Sequence, residues 1–189
     1  EVQSKEKQSI NQIKSAIQEN PNDIAAIIIE PIQGEGGDNH FRDEFITSLR
    51  QICDENEMMF IMDEVQTGVG ITGKWWAHEH FTSKPDIIAF GKKTQVCGML
   101  ANSRVDEVKH NVFSESSRIN STFGGNLTDM VRFQMILEII TNENLLENAG
   151  KMGNILLKGL QDLAVEFPAF VTNPRGLGLF AAFDLPSPT

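Results

Sequence analysis

The chain has 189 residues, of which 40% are hydrophobic and 22% charged, so it contains enough apolar material for a core of ordinary single-domain size. Its formal net charge of −10 and its lack of a lysine and arginine cluster exclude nucleic acid as an expected partner, because a phosphate backbone is bound by a concentrated basic face. Its apolar runs fall far below the ~20 residues of a membrane-spanning helix, so we expect no membrane segment.

The first third of the chain alternates helical patterns with short apolar runs. Isoleucines at helical spacing predict a helix over residues 5–19 that ends before Pro21. The unbroken apolar run 24–29 predicts a strand covered on both faces, as in a parallel sheet. A glycine-rich loop at 33–38 and an amphipathic helix at 41–55 are predicted to follow it.

Two further buried strands are predicted at 60–63 and 87–90, with a helix around 75–81 between them. The order strand, loop, helix, strand is that of a parallel crossover unit. Polar residues follow each of the three strands directly, and open α/β sheets bind their ligands at this edge. The sequence therefore predicts an α/β fold with a site at the carboxyl ends of the strands.

The last third of the chain contains two helical patterns and a strand pattern. Apolar residues at helical spacing predict helices over 126–148 and 149–166. Residues 173–176 predict a turn, and residues 177–185 predict a strand that opens a smaller C-terminal region.

The cysteines and histidines carry no metal-ligand pattern. Cys53 and Cys97 lack CxxC spacing, so we predict two free thiols with packing roles in a reducing, cytoplasmic compartment. The four histidines, including His78 and His80, have no ligand spacing, so we predict that they lie on the surface and that there is no metal site.

Asp63 ends a predicted buried strand, where a carboxylate is costly unless a cation or several donors meet it. Asp63-Glu64 after an apolar run is also typical of the magnesium-binding strand of a P-loop ATPase. The nearest match to a P-loop, Gly68 to Lys74, is followed by Trp75, which cannot bind a metal, and it lies downstream of the acidic pair. The ATPase is therefore the weaker alternative.

Lys92 follows the strand run 87–90, at the mouth of an apolar sheet. Lys92 and Lys93 could be a solvated pair on a turn, since an ordinary lysine is protonated and a poor nucleophile. At a sheet edge, however, a lysine can lose its proton and react with a carbonyl. A cofactor with an aldehyde and a protonated pyridine nitrogen would satisfy both Lys92 and Asp63.

Four motifs resemble, in order, those of the class III pyridoxal-phosphate-dependent aminotransferases. They are EPIQGEGG at 30–37, MDEVQTG at 62–68, PDIIAFGK at 85–92 and STFGGN at 121–126. The resemblance covers nearly the whole chain and implies a fold-type I α/β transferase with a mostly parallel sheet. It also implies that residues 1–170 are part of the large cofactor-binding domain and residues 171–189 the beginning of the small C-terminal domain.

The resemblance gives four residues a role at the ring or the aldehyde of pyridoxal 5'-phosphate. Lys92 is similar to the lysine that binds the cofactor aldehyde and then carries protons, with Lys93 as the fallback because only one of two adjacent lysines can point into the site. Asp63 resembles the partner of the pyridinium nitrogen. Val65 resembles the side chain packed under the ring, and Gln66 the donor to its phenolic oxygen; core packing and solvation of the strand end are the alternatives for these two.

Two more residues resemble groups that act at the rim of the site. Thr122 is similar to the threonine that reaches the cofactor phosphate across a homodimer interface, and a helix cap by Ser121 or Thr122 is the alternative. Glu35 resembles the glutamate that pairs with an arginine and moves aside for the second substrate, with a plain loop charge as the alternative. Arg175 resembles a structural turn residue of the small domain.

Residues 90–98 and 120–130 are most similar to the L-lysine 6-aminotransferases. This implies transfer of the terminal amine of L-lysine to 2-oxoglutarate, giving a semialdehyde and glutamate, as a step of lysine catabolism. Ornithine, 4-aminobutyrate or another ω-amine is the alternative donor. The family's phosphate-binding turn, ring-stacking aromatic residue and substrate arginines are not recognised in this sequence, so we expect both ends to be cut and the isolated chain to be inactive.

Overall fold

Four strands form the central sheet in the computed structural model of the chain, which describes residues 1–119 and 122–186. The strand order is β1 (Ala26–Ile29), β4 (Met59–Asp63), β5 (Ile87–Phe90) and β6 (Gly98–Ala101). The first three run parallel and β6 pairs antiparallel with β5. The mostly parallel α/β sheet that the sequence predicts is therefore confirmed, and β6 is an addition to it.

Two hairpins flank this sheet. β2 (Ile32–Gln33) and β3 (Asn39–His40) pair across the glycine-rich loop, which makes that loop a short hairpin connection. β7 (Thr172–Leu177) and β8 (Phe180–Asp184) form the second hairpin near the C-terminus, here called the C-terminal hairpin.

In the described segments, four α-helices pack around the strands: α1 (Val2–Glu19), α2 (Asp43–Glu55), α3 (Leu127–Asn142) and α4 (Leu145–Glu166). The core lies mainly between α2 and β4, because the apolar residues of α2 recur at helical spacing on the face turned to the strand. Its buried members are Phe45, Ile46, Leu49, Cys53, Met58, Phe60 and Met62. No helix of the described segments is long and apolar enough to cross a membrane.

Within the described residues the first strand is covered on one face, where the sequence predicts cover on both. Ile28 in the middle of β1 is 63% exposed, and α1 and α2 supply the residues that pack on the core side. An unbroken apolar run predicts two covered faces only when a second layer is present, and within the described residues Ile28 has no such layer over it.

The C-terminal element boundaries also differ from those expected. The predicted helix 126–148 ends at Asn142, and Asn144 adopts the left-handed conformation that starts a new helix direction. The predicted turn at 173–176 lies within β7, where Pro174 falls at an irregularity in the strand pairing. The predicted helix at 75–81 is a single 3₁₀ turn over Ala77–His80.

Both cysteines are free thiols, as predicted, but only one has a core packing role. Cys53 is fully buried in the core between α2 and β4. Cys97 is exposed in the segment that joins β5 to β6.

Candidate active site

The carboxyl ends of β1, β4 and β5 meet at one edge of the sheet, because the three strands are parallel neighbours. Gln66, three residues beyond β4, is the meeting point of the loops. Lys92 Nζ donates to Oε1 of Gln66 at 2.9 Å, and Lys93 Nζ donates to the backbone oxygen of Gln66 at 2.5 Å. The structure therefore brings together the polar groups that follow two separate strands.

The two adjacent lysines lie in different environments. Lys92 is exposed at the sheet edge and has a φ of 51°, an uncommon left-handed conformation for a residue with a side chain. Lys93 is half-buried beneath the turn, and burial, helped by the charge of Lys92 and opposed by Glu64, holds the pKa of Lys93 below its usual range. Lys92 is thus the accessible amine, and Lys93 fastens the turn to the loop after β4.

Asp63 closes β4 with its side chain half-buried. Its Oδ1 accepts a hydrogen bond from the backbone N–H of Val65 at 3.1 Å. Among the described residues no lysine, arginine or histidine pairs with Asp63, so the expected cationic partner does not come from this part of the chain. Its remaining acceptor positions are available to a group at the sheet edge.

Side chains along β4 and its continuation alternate between a buried face and a partly open one. Phe60, Met62 and Glu64 are buried, whereas Asp63 and Val65 are half-buried on the opposite side. Asp63 and Val65, two of the residues that the family resemblance places at the cofactor ring, therefore share a face.

Glu64 has a structural environment that sequence analysis missed. Its carboxyl is fully buried and accepts from the backbone N–H groups of Ala77 at 2.6 Å and His78 at 2.8 Å. The Nδ1 atom of His78 lies 2.9 Å from Oε1 of Glu64, and Thr67 donates its hydroxyl to the other oxygen. The alternation along β4 could have revealed the burial of Glu64, but its partners lie in a later loop.

The prediction of surface histidines was wrong for His78, which is buried, and for His40 and His80, which are half-buried. The buried His78 contacts the Glu64 carboxyl through both its backbone N–H and its ring. For His80, burial and the charge of Lys74 hold the pKa below its usual value. His110 is exposed, as expected.

The glycine-rich loop reaches Gln66 through Gly34. A Cβ atom on Gly34 would lie 2.6 Å from Oε1 of Gln66, so a larger residue at this position would displace the flexible Gln66 amide. The N–H of Gly34 donates to Oε2 of Glu30 at 3.0 Å, which ties the loop to the end of β1. Glu35 is the next residue, and it is exposed.

Thr122 is exposed in the turn that precedes α3. Asn126 caps this helix, since its side-chain oxygen accepts from the N–H of Thr128 at 2.9 Å. The cap suggested as the alternative role of Thr122 is therefore wrong for that residue. Asn120 and Ser121 of the same motif lie outside the described residues.

Asp86, which belongs to the motif ending at Lys92, has a structural role. Burial alone would raise its pKa, but the N–H of Phe60 at 2.8 Å and the guanidinium of Arg50 at 2.7 Å outweigh burial and hold the pKa of Asp86 below its usual range. These bonds join the start of β5 to β4 and α2.

The stretch Gly68 to Lys74, which resembled a P-loop, packs against α4. A Cβ atom on Gly70 would lie 2.9 Å from the side chain of Leu146, and one on Gly73 would lie 3.1 Å from Gly150. These two glycines therefore allow the loop to pack closely on the helix.

The family model for class-III aminotransferases matches residues 1–189. An L-lysine-epsilon aminotransferase of Mycobacterium tuberculosis is 54% identical over 182 residues, which are 96% of this chain and 40% of that protein. A 4-aminobutyrate aminotransferase of Dictyostelium discoideum is 42% identical over 87% of this chain and 32% of that protein. The solved structure of a lysine aminotransferase from M. tuberculosis has a TM-score of 0.93 at 55% identity, covering 96% of this chain and 42% of the other. This chain spans about two fifths of the length of the lysine-type relative.

Proposed function

The chain belongs to the class-III aminotransferase family, and on that premise we propose that it is the segment of a lysine aminotransferase that carries the cofactor-binding lysine, Lys92. The remaining groups of the site would come from protein outside these 189 residues, and the longer enzyme is called the parent enzyme below. The observation that carries the proposal is the meeting of Lys92 with Gln66 at the sheet edge that Asp63 also faces.

Pyridoxal 5'-phosphate is the cofactor of this family, and the described side chains fit it. Lys92 offers an accessible amine, and Asp63 offers carboxylate positions that no described cation occupies. The Gln66 side chain accepts from Lys92 through its oxygen, which leaves its amide NH₂ as a donor. When bound, the cofactor supplies an aldehyde for exchange of amines and a cationic ring that accepts electrons.

Each of these residues would have a distinct task. Lys92 would bind the aldehyde carbon and, once displaced by substrate, hold and move a proton at Nζ. Asp63 would keep the ring nitrogen protonated, because a nearby carboxylate favours the charged form of a cation. Gln66 would orient Lys92 and donate to the ring's phenolic oxygen, and Val65, on the face of Asp63, would pack under the ring.

The proposed reaction transfers the terminal amine of L-lysine to 2-oxoglutarate. The higher identity to a lysine-type relative, 54% against 42% for the 4-aminobutyrate type, supports lysine over other ω-amines. Glu35, exposed beside Gly34 and within one residue of the Gln66 contact, would act as the gate that distinguishes the two substrates.

We also propose a homodimer in which Thr122 contacts the phosphate in the neighbouring active site. Its exposed position, and the large apolar side chains exposed on α3 next to it, including Leu127 at 81% and Val131 at 59%, support a covered face there. The free thiols Cys53 and Cys97 support a reducing, cytoplasmic compartment.

The test uses the parent enzyme loaded with pyridoxal phosphate and then reduced with borohydride. Peptide mass spectrometry should find the cofactor mass on Lys92, and Lys92→Ala should abolish it, whereas the matched variant Lys93→Ala should retain it. A label on Lys93 would overturn the assignment. Amine profiling of the same preparation should give the highest kcat/KM with L-lysine; a higher value with ornithine or 4-aminobutyrate would move the enzyme to that alternative.

A further inference from the structure

Arg175, in the middle of β7, reaches across to the glycine-rich loop. Its Nε donates to the backbone oxygen of Asp38 at 2.8 Å, and its Nη2 donates to the backbone oxygen of Gly37 at 2.7 Å. Its Nη1 is bound at the same time within the C-terminal hairpin, to Asn173 O at 3.0 Å and Asp184 Oδ1 at 2.8 Å. One guanidinium thus joins two segments that lie about 140 residues apart in sequence.

The hairpin that carries Arg175 is itself fixed to the body of the chain. Gly178 at its turn has a φ of 58°, and a Cβ atom there would collide with the backbone of Ile71 and Thr72. A Cβ atom on Gly153 of α4 would in turn collide with the backbone of Gly178. The N–H of Leu179 donates to Ile71 O at 2.8 Å, in the loop after β4. The guanidinium is therefore presented from a rigid support.

The loop that Arg175 binds is the one that carries Glu35. Gly37 and Asp38 lie two and three residues after Glu35, and Gly34 before it rests on the Gln66 side chain. The turn is closed by backbone bonds from Gly37 N and Asp38 N to Gly34 O, at 3.1 and 3.2 Å. Glu35 is thus held from both sides, by Gln66 through Gly34 and by Arg175 through Gly37 and Asp38.

We propose that Arg175 is a positioning residue for Glu35: it fixes the 34–38 loop to the C-terminal hairpin and thereby tunes how the site discriminates the amino donor from the 2-oxo acid. The inference rests on the proposed role of Glu35 as a substrate gate. Arg175 does not touch the reacting groups. Its substitution should therefore change the discrimination between the two substrates and leave attachment of the cofactor at Lys92 unchanged. The guanidinium makes four hydrogen bonds, to both loop carbonyls and to two acceptors of the hairpin, so the three donors of a lysine ammonium should not replace it.

The first experiment measures amide hydrogen exchange in the cofactor-free parent enzyme. Arg175→Ala and Arg175→Lys should each speed exchange at Gly37 and Asp38 by about tenfold, while Lys158→Ala, which removes an exposed charge on α4, should leave it unchanged. Unchanged protection in Arg175→Ala would overturn the proposal, because the loop would then be held without the guanidinium.

The second experiment is a double-mutant cycle on the two half-reactions, measured separately. Arg175→Ala should change the ratio of kcat/KM for L-lysine to that for 2-oxoglutarate by about tenfold, and the change should vanish in a Glu35→Gln background. An equal change in both backgrounds, or none in either, would overturn the positioning role. Failure of the Glu35 assignment itself is separately visible, as a Glu35→Gln single variant with unaltered discrimination.

Discussion

Glu64 and Asp63 are adjacent carboxyl residues for which the structure predicts opposite consequences of substitution. Glu64→Ala would remove the acceptor of four donors in a fully buried site: the N–H groups of Ala77 and His78, the Thr67 hydroxyl and, in the Nδ1–H tautomer, the His78 ring. Each unsatisfied buried donor costs about 1–3 kcal/mol, and loss of one partner from a buried charged network costs about 3–5 kcal/mol in total. We therefore expect Glu64→Ala to lower the free energy of unfolding by about 4 kcal/mol.

Asp63→Ala should behave differently, because Asp63 is half-buried and accepts one hydrogen bond, from Val65 N. The loss should stay below about 1 kcal/mol. In contrast, the affinity of the parent enzyme for pyridoxal phosphate should fall at least about tenfold, because one charge-assisted hydrogen bond contributes about 1.5–3 kcal/mol.

Urea unfolding of both variants in the cofactor-free parent enzyme checks the stabilities, and fluorescence titration of the cofactor checks the affinities. Asp63→Asn is the matched control, since its amide oxygen can still accept from Val65. Equal losses of stability in Glu64→Ala and Asp63→Ala would refute the division of roles. So would a Glu64→Ala enzyme as stable as wild type.

Three further substitutions have measurable consequences. Gly34→Ala should raise the Kd for pyridoxal phosphate severalfold in a fluorescence titration at nearly unchanged stability, because its Cβ would displace the flexible Gln66 amide; an unchanged Kd would contradict the contact. Burial raises the pKa of the Cys53 thiol to about 11, so the folded state keeps a proton that the unfolded state releases from pH 9.0 upwards. Stability measured by urea unfolding should fall between pH 9 and 11, and Cys53→Ala should remove that slope. Burial, and secondarily the charge of Arg175, lowers the pKa of His40. The unfolded histidine therefore binds a proton at a higher pH than the folded one, and stability should fall as the pH drops below 6.5. A His40→Gln variant whose stability falls equally steeply between pH 6.5 and 5 would contradict this.

The local spacing of apolar residues was sufficient to predict the strands and helices that such spacing specifies. The apolar runs of β4 and β5 and the glycine that precedes Lys92 were sufficient to predict parallel strands with polar groups at their carboxyl ends. Periodicity also predicted α2 within two residues at its start. These features follow from side-chain spacing and from the geometry of parallel sheets, so no distant residue is needed to specify them.

Features that depend on distant partners could not be predicted in this way. The burial of His78 depends on Glu64, and the contact between β7 and the glycine-rich loop depends on Arg175. The break between α3 and α4 depends on Asn144, an asparagine in a left-handed conformation inside an otherwise continuous apolar pattern. The spacing of apolar residues does not report contacts between residues far apart in sequence. It therefore gave the wrong burial for His78 and the wrong boundary between α3 and α4.

The site is built around two doublets, Asp63-Glu64 and Lys92-Lys93, each at the end of a parallel strand. In each doublet the first residue faces the sheet edge and the second turns inward, where it binds backbone groups: Glu64 accepts from N–H groups, and Lys93 donates to the oxygen of Gln66. Side chains alternate where β4 ends, whereas Lys92 and Lys93 lie in a 3₁₀ turn that follows β5. In either setting a charged residue turned inward must find partners or destabilise the fold. The inward residue therefore fixes the backbone on which its outward neighbour is mounted. In the proposed enzyme, Asp63 and Lys92 would bind the same cofactor. Their positions relative to it would depend on Glu64 and Lys93, which do not contact it.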